Sequence, residues 1–136
     1  MVTERGDATR AAVERYLDAL NAHDVDGIVA AVAPDFVNEH TSALAVSRRG
    51  RDEYRAALPA FLAHFDGVRY DVEDLLVDGS RAAVAYRMTA GWVDDAGARH
   101  PIVIRGMFRF QVVDGLVSHR TDYWDGTEFT RQTTPA

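Results

Sequence analysis

The chain has 136 residues, enough for one domain at roughly 150 residues each, and its 47% apolar and 26% charged residues are ordinary globular proportions that exclude wholesale disorder and fibrous structure. Its 15 Lys and Arg against 21 Asp and Glu leave a formal charge of -6, with the basic residues scattered, so no footprint for a nucleic-acid backbone exists. The absence of cysteine excludes disulfides, thiolate metal sites and cysteine nucleophiles.

Residues 1–7 lack the apolar stretch of a signal peptide, and the longest apolar run, 28–33, is far short of the roughly 20 residues that span a bilayer. The expectation is a soluble, cytoplasmic protein without a membrane partner: one domain over 1–136, its core about 8–130, with 131–136 a frayed tail. Val13, Tyr16, Leu17 and Leu20 follow the spacing of one helical face and predict a helix over 8–22, with Asp7 placed to cap it. Asp24 caps a shorter helix striped by Val25, Ile28, Val29 and Val32, which Pro34 bars from continuing. Residues 36–40 read as a brief strand, and 41–50 as a loop leading into a basic cluster, Arg48, Arg49 and Arg51. Tyr54, Leu58, Phe61, Leu62 and Phe65 predict a third helix over 52–65, kinked or interrupted at Pro59. Turn signals at 78–79, 94–97 and 114–115 divide the remainder into strands near 68–77, 81–93, 101–113 and 116–125, and Asp114-Gly115 suits a tight hairpin. Helices followed by a run of strands give an α+β pattern: three N-terminal helices packed on a strongly curved antiparallel sheet.

Residues 13–17 and 20–24, Pro34-Asp35-Phe36-Val37-Asn38, Ile104-Arg105-Gly106-Met107-Phe108 and the terminal Thr121-Asp122-Tyr123-Trp124-Asp125 fall in a familiar order. Over roughly 8–130 the chain resembles the nuclear transport factor 2-like cone fold, and within it the SnoaL-like polyketide cyclases; it is also similar to ketosteroid isomerases and limonene epoxide hydrolases. The resemblance implies a cone enclosing one deep, mostly apolar pocket, often in a homodimer packed through the outer sheet face. Val103, Met107 and Tyr123 are the apolar residues expected on that outer face.

Alternation along the last strand puts Ser118, Arg120, Asp122 and Trp124 on one face. The resemblance implies an aspartate near this point as the general acid/base of the cyclases, and Asp122 matches it by position. Apolar surroundings would raise its pKa toward the range where a carboxyl trades protons near neutrality. A structural salt bridge from Asp122 to Arg120 or Arg87 is the competing reading. Phe36, Asn38 and His40 share a face of the first strand, so Asn38 and His40 can point at one ligand. His40 aligns with the aspartate base of the isomerases, and a neutral imidazole there is either a base or a hydrogen-bonding group at a pocket mouth. Tyr16 matches their enolate-binding tyrosine or is a core aromatic; Gly106 stands where they carry a protonated aspartate, a carboxylic acid kept neutral so that it can donate a hydrogen bond.

Against the epoxide hydrolases, Arg87 matches their arginine, but Thr89 and Phe36 replace an aspartate and a tyrosine, so that relay cannot be assembled. Arg87 itself reads either as pocket-facing or as solvated or dimer-facing. Phe36, Phe61, Phe65, Phe108 and Trp124 are the expected apolar lining, with Arg87 and Arg120 beside them. His23, His64, His100 and His119 show no metal-ligand spacing, and no phosphate loop or nucleophile elbow is present, so no metal and no cofactor is expected. Three functional readings follow: a cofactor-independent enzyme moving a proton next to a carbonyl in a hydrophobic small molecule, with Asp122 as shuttle and Asn38, His40 and Tyr16 assisting; an epoxide hydrolase with a rearranged relay; and a non-catalytic ligand-binding or dimeric interaction module.

Overall fold

The computed structural model describes residues 4–135. Helix α1 (Glu4–Asn21) starts earlier than its apolar stripe, so Asp7 lies in its first turn beside Glu4, where negative charge meets the positive end of the helix dipole. Its Val13, Tyr16, Leu17 and Leu20 are all buried. The end of α1 is clamped to the backbone of strand β3 (Phe65–Asp78): Asn21 Nδ2 donates to the Tyr70 carbonyl at 3.0 Å, its Oδ1 accepts from the Tyr70 N–H at 2.7 Å, and His23 Nε2 donates to the Val68 carbonyl at 2.7 Å.

Helix α2 (Val25–Ala30) is capped by Asp24, whose carboxylate accepts from the Gly27 N–H at 3.1 Å. It stops short of the predicted length, because Val32 already opens strand β1 (Val32–His40) and pairs with Val117 of β6 (Leu116–Trp124). Pro34 therefore sits inside a strand. Lacking an N–H it cannot complete the ladder, and the β1–β6 register shifts between Val32 and Val37. A two-residue strand, β2 (Arg48–Arg49), precedes α3 (Arg51–His64), which runs through Pro59 as one helix.

The rest is the meander β3, β4 (Arg81–Val93), β5 (Arg99–Val113) and β6. At the β5–β6 hairpin Asp114 and Gly115 adopt φ of 52° and 76°, the left-handed pair a two-residue turn needs, with Val113 paired to Leu116. The six strands form one curled, unclosed sheet in the order β2-β1-β6-β5-β4-β3. It is mixed rather than wholly antiparallel: β6, antiparallel to β5, returns beside β1 running in the same direction.

The expected frayed tail is corrected in part. Helix α4 (Gly126–Thr133) carries the chain through 133, capped by Asp125; residue 136 of that tail lies outside the described residues. β6 ends opposite Gly106, which leaves the Val103 backbone of β5 without a strand neighbour on that side. Gln132 fills the place: its Oε1 accepts from the Val103 N–H at 2.7 Å and its Nε2 donates to the Val103 carbonyl at 2.8 Å. Among the described residues no helix is long and apolar enough to cross a membrane.

The core sits between the helices and the concave sheet face, around Val13, Tyr16, Phe36, Val84, Phe108 and Phe110. Phe108 is fully buried, its ring 4.5 Å from Tyr86, 5.2 Å from Tyr70 and 5.6 Å from Phe110. Val103, Met107 and Tyr123 lie exposed on the opposite face. Phe108→Ala is expected to cost about 3–5 kcal/mol in urea denaturation, whereas Arg87→Ala, on the convex face, changes stability by no more than about 0.5 kcal/mol.

Candidate active site

The parallel β1–β6 pair decides what the floor of the concavity contains. Asn38 lies opposite Arg120 and His40 opposite Asp122. All four line a cavity of about 450 Å³, which is closed further by Leu20 of α1, by α3, by Trp124 and by Phe129 of α4.

Asp122 is buried, with its side chain 7% exposed. The Tyr86 hydroxyl donates to its Oδ1 at 2.6 Å, and its Oδ2 lies 3.6 Å from His40 Nδ1. Burial pushes the carboxyl up to about 6, while the Arg120 charge and the Tyr86 hydrogen bond hold it from rising further. Burial likewise pushes the His40 imidazole down, to about 3, with the Arg120 and Arg48 cations acting in the same direction. His40 Nδ1 accepts from Trp124 Nε1 at 3.4 Å, so a neutral ring turns a lone pair, not a proton, toward Asp122.

Arg120 is a buried cation without a carboxylate at ion-pair distance among the described residues. Its Nη1 donates to the Tyr16 hydroxyl at 2.7 Å and its Nη2 to Asn38 Oδ1 at 2.5 Å, while its buried Nε has no partner. The guanidinium lies 4.7 Å from the centre of the Phe108 ring, a cation–π contact worth about 2 kcal/mol when desolvated. Burial opposes its charge, yet Tyr16, Tyr54 and Asp122 around it hold the guanidinium protonated.

These donors orient their neighbours. A guanidinium only donates, so the Asn38 oxygen must face it, which leaves Asn38 Nδ2 without a partner among the described residues. Tyr16 accepts from Arg120, and since it is fully buried the Tyr54 hydroxyl, 2.6 Å away, is the acceptor within reach of its own proton among the described residues. Tyr54, on the cavity wall, keeps its proton for whatever the cavity holds. Burial pushes the Tyr54, Tyr70 and Tyr86 hydroxyls above the usual phenol range, so all three stay protonated donors.

Of the residues the sequence proposes for the site, Asn38, His40, Phe61, Phe65, Arg120, Asp122 and Trp124 meet at the cavity. Four do not. Arg87 is exposed on the convex face, because alternation along β4 turns Tyr86 inward and its neighbour outward. Tyr16 lies behind Tyr54, Phe36 is covered by the Tyr54 ring at 4.8 Å, and Phe108 is roofed by Tyr86 and Arg120. Asp122 forms no salt bridge to Arg120 or Arg87; its neighbour at ion-pair distance is His40.

Tyr54, Tyr70, Tyr86, Met88, Trp92 and Phe129 line the cavity without having been singled out for it. Tyr54 stands in the helical stripe of α3, and Tyr86 with Met88 and Trp92 on the core-like face of β4, so strand and helix periodicity carried the signal. Gly106 explains how Tyr86 arrives: a Cβ at 106 would run into the Tyr86 hydroxyl and ring, so the phenol fills the space that this glycine leaves open. Phe65, Trp92, Trp124 and Phe129 form an aromatic wall of tilted and edge-on rings, with ring centres 5.0–6.2 Å apart. Among the described residues no cluster of three or more His, Asp or Glu could hold a metal.

The curled, unclosed sheet wrapped on helices is a fold shared with solved nuclear transport factor 2-like proteins. The family model of the SnoaL-like domain matches residues 13–120, and the chain belongs to that family. No curated protein matches it. Its fold is similar to that of an NTF2-like protein of unknown function from Burkholderia pseudomallei (21% identity, 94% of this chain and 98% of that one, TM-score 0.81). It is likewise similar to a protein from Jannaschia assigned as a SnoaL-like polyketide cyclase (18% identity, 100% and 99%, TM-score 0.81), and to TerC co-crystallised with polyporic acid (16% identity, 92% and 97%, TM-score 0.78).

Because the folded pKa of Asp122, about 6, exceeds its ordinary value of 3.8, the native state binds this proton more tightly than the unfolded chain. Its contribution to stability is complete below about pH 4 and is lost as pH rises through about 6. Asp122→Asn is therefore expected to stabilise the protein at pH 8 by up to about 3 kcal/mol, with the gain shrinking between pH 6 and 4. Denaturant unfolding across that range checks it.

Proposed function

We propose that the protein is a cofactor-independent enzyme that moves a proton at a carbon next to a carbonyl in an apolar small molecule, as an isomerase or an aldol-type cyclase. The observation that carries this reading is Asp122: a buried carboxyl with one oxygen occupied by Tyr86, the other free, and a pKa near neutrality. His40, held near 3, is much the weaker base of the pair.

In the proposed reaction the free Oδ2 of Asp122 takes the proton from the carbon, and the electron pair of the C–H bond moves to the carbonyl oxygen. The Tyr54 hydroxyl and Asn38 Nδ2, both backed by Arg120, are donors with protons to offer that oxygen, and the Tyr70 hydroxyl on the same cavity wall is a third. Charge is conserved beside the guanidinium: the negative charge leaves Asp122 and appears on the enolate, so Arg120 faces one anion before and after the step. Isomerisation returns the proton to a different carbon. In cyclisation the enolate carbon attacks a second carbonyl, forming a C–C bond, and Asp122 protonates the resulting alkoxide. The aromatic wall of Phe65, Trp92, Trp124 and Phe129 suits an apolar, flat substrate body, and relatives of this fold include an assigned polyketide cyclase and a protein crystallised with polyporic acid. Arg87, exposed on the convex face, cannot join Asp122 in the relay of the epoxide hydrolases.

The test is exchange of carbon-bound protons of apolar ketones in deuterated water, followed by NMR. Exchange is expected to rise with pH through about 6 as Asp122 ionises, and to fall roughly a hundred- to ten-thousand-fold in Asp122→Asn. Tyr54→Phe should cost about tenfold or more. A protein inert toward every such ketone, or an Asp122→Asn variant as active as its parent, overturns the reading.

A further inference from the structure

The basic cluster Arg48, Arg49 and Arg51 divides into three different environments. Arg51 is structural: its Nε and Nη2 both donate to the Val32 carbonyl, tying α3 to the start of β1. Arg49 is exposed, paired with Val37 on the register that points away from the cavity, and its backbone N–H is taken by Glu53. Arg48 is paired with Asn38 across β1 and β2, so the two residues share a face, and like Asn38 it lines the cavity. It is half-buried and its side chain makes no ion pair or hydrogen bond among the described residues, although its charge is close enough to disfavour a second cation at His40.

The register thus sets Arg48, Asn38 and Arg120 in one row across β2, β1 and β6. Among the described residues that line the cavity, the guanidiniums and carboxylates are Arg48, Arg120 and Asp122; of its two histidines His40 is neutral and His64 is tied by Nδ1 to the Val93 carbonyl and stacked on Trp92, and the three tyrosines are protonated. A protein of net charge -6 has therefore built its cavity with two guanidiniums against one carboxylate. Building on the proton-transfer reading, the exchange between Asp122 and the enolate supplies one anion to Arg120 throughout and nothing to Arg48. A half-buried cation left without a counter-charge bears a desolvation cost that a ligand can relieve, and the excess positive potential draws anions in from solution.

We propose that the substrate of this site is an apolar acid, whose carboxylate pairs with Arg48 while its flat body lies against the aromatic wall and its reacting carbonyl reaches Asn38 and Tyr54. Arg48 on this view selects the substrate and takes no part in the proton transfer.

The experiment compares naphthoate with naphthamide, an acid and its neutral isostere, titrated into the full chain by calorimetry. Naphthoate is expected to bind roughly tenfold or more tighter, with a preference that weakens as salt is added. Arg48→Gln should erase the preference and leave naphthamide affinity unchanged, Arg48→Lys should keep part of it, and Arg49→Gln should keep all of it. Equal affinity for the two probes, binding of neither, a preference that survives Arg48→Gln, or a preference indifferent to salt in the unaltered protein overturns the proposal; the last measurement stands even if a variant fails to fold. A preference for the acid without proton exchange on any ketone sinks the enzyme reading and leaves Arg48 as the carboxylate anchor of a binding cavity. Ketone exchange with equal affinity for the two probes does the reverse.

Discussion

The structure is arranged around a cation taken out of water. Stripping the Arg120 guanidinium of solvent without a carboxylate at contact distance costs several kcal/mol, and four neighbours offset part of that cost. The Phe108 ring lies under it, Tyr16 and Asn38 accept from it, and the Asp122 charge acts on it through space. These partners come from α1, β1, β5 and β6, so a single buried charge requires four separate elements to be correctly placed. The clamp of Asn21 and His23 on β3 holds the end of the helix that carries Tyr16 against the sheet.

Asp122 is the counterpart of this arrangement. It stands two residues from Arg120 on the same face of β6, close enough to feel the cation and too far to be neutralised by a direct pair. Burial and Arg120 therefore pull its proton affinity in opposite directions, and the balance falls near neutrality. A tighter ion pair would have locked the carboxylate in its charged form; a wholly apolar site would have locked it as the acid. Tyr86 fills one of its oxygens and leaves the other open, and that asymmetry depends on a missing side chain at Gly106. Such a carboxyl destabilises the fold at neutral pH, a trade expected where a buried group serves chemistry rather than packing.

Periodicity carried much of the architecture. The 3.6-residue stripe of Val13, Tyr16, Leu17 and Leu20 marks α1 whatever surrounds it, because a helix can bury only one face; the Asp114-Gly115 turn is equally local, since both residues tolerate positive φ. Alternation along β1 and β6 places Asn38, His40, Arg120, Asp122 and Trp124 on shared faces whatever the fold around them. Local pattern failed where a long-range partner overrode it. Val32 continues a helical stripe yet pairs with Val117, 85 positions away by their numbers, and the 131–133 segment has no apolar periodicity of its own but is held by the Gln132 amide on Val103.

Residue type and spacing determine which side chains can share a face, and that much of the site follows from the chain alone. How deep each one sits does not follow. Tyr16, Phe36 and Phe108 have the inward orientation of a pocket lining, but Tyr54 and Tyr86 pack over them and take the wall for themselves. In the same way three consecutive-looking arginines became a helix tether, an exposed charge and an unpaired cation in the cavity, depending on which strand or carbonyl each one met. Depth and pairing are set by the layering of elements far apart in sequence. Only the folded chain could therefore decide that Arg120 loses its solvent, that Asp122 sits near it without pairing to it, and that burial pushes the Asp122 carboxyl up to about 6.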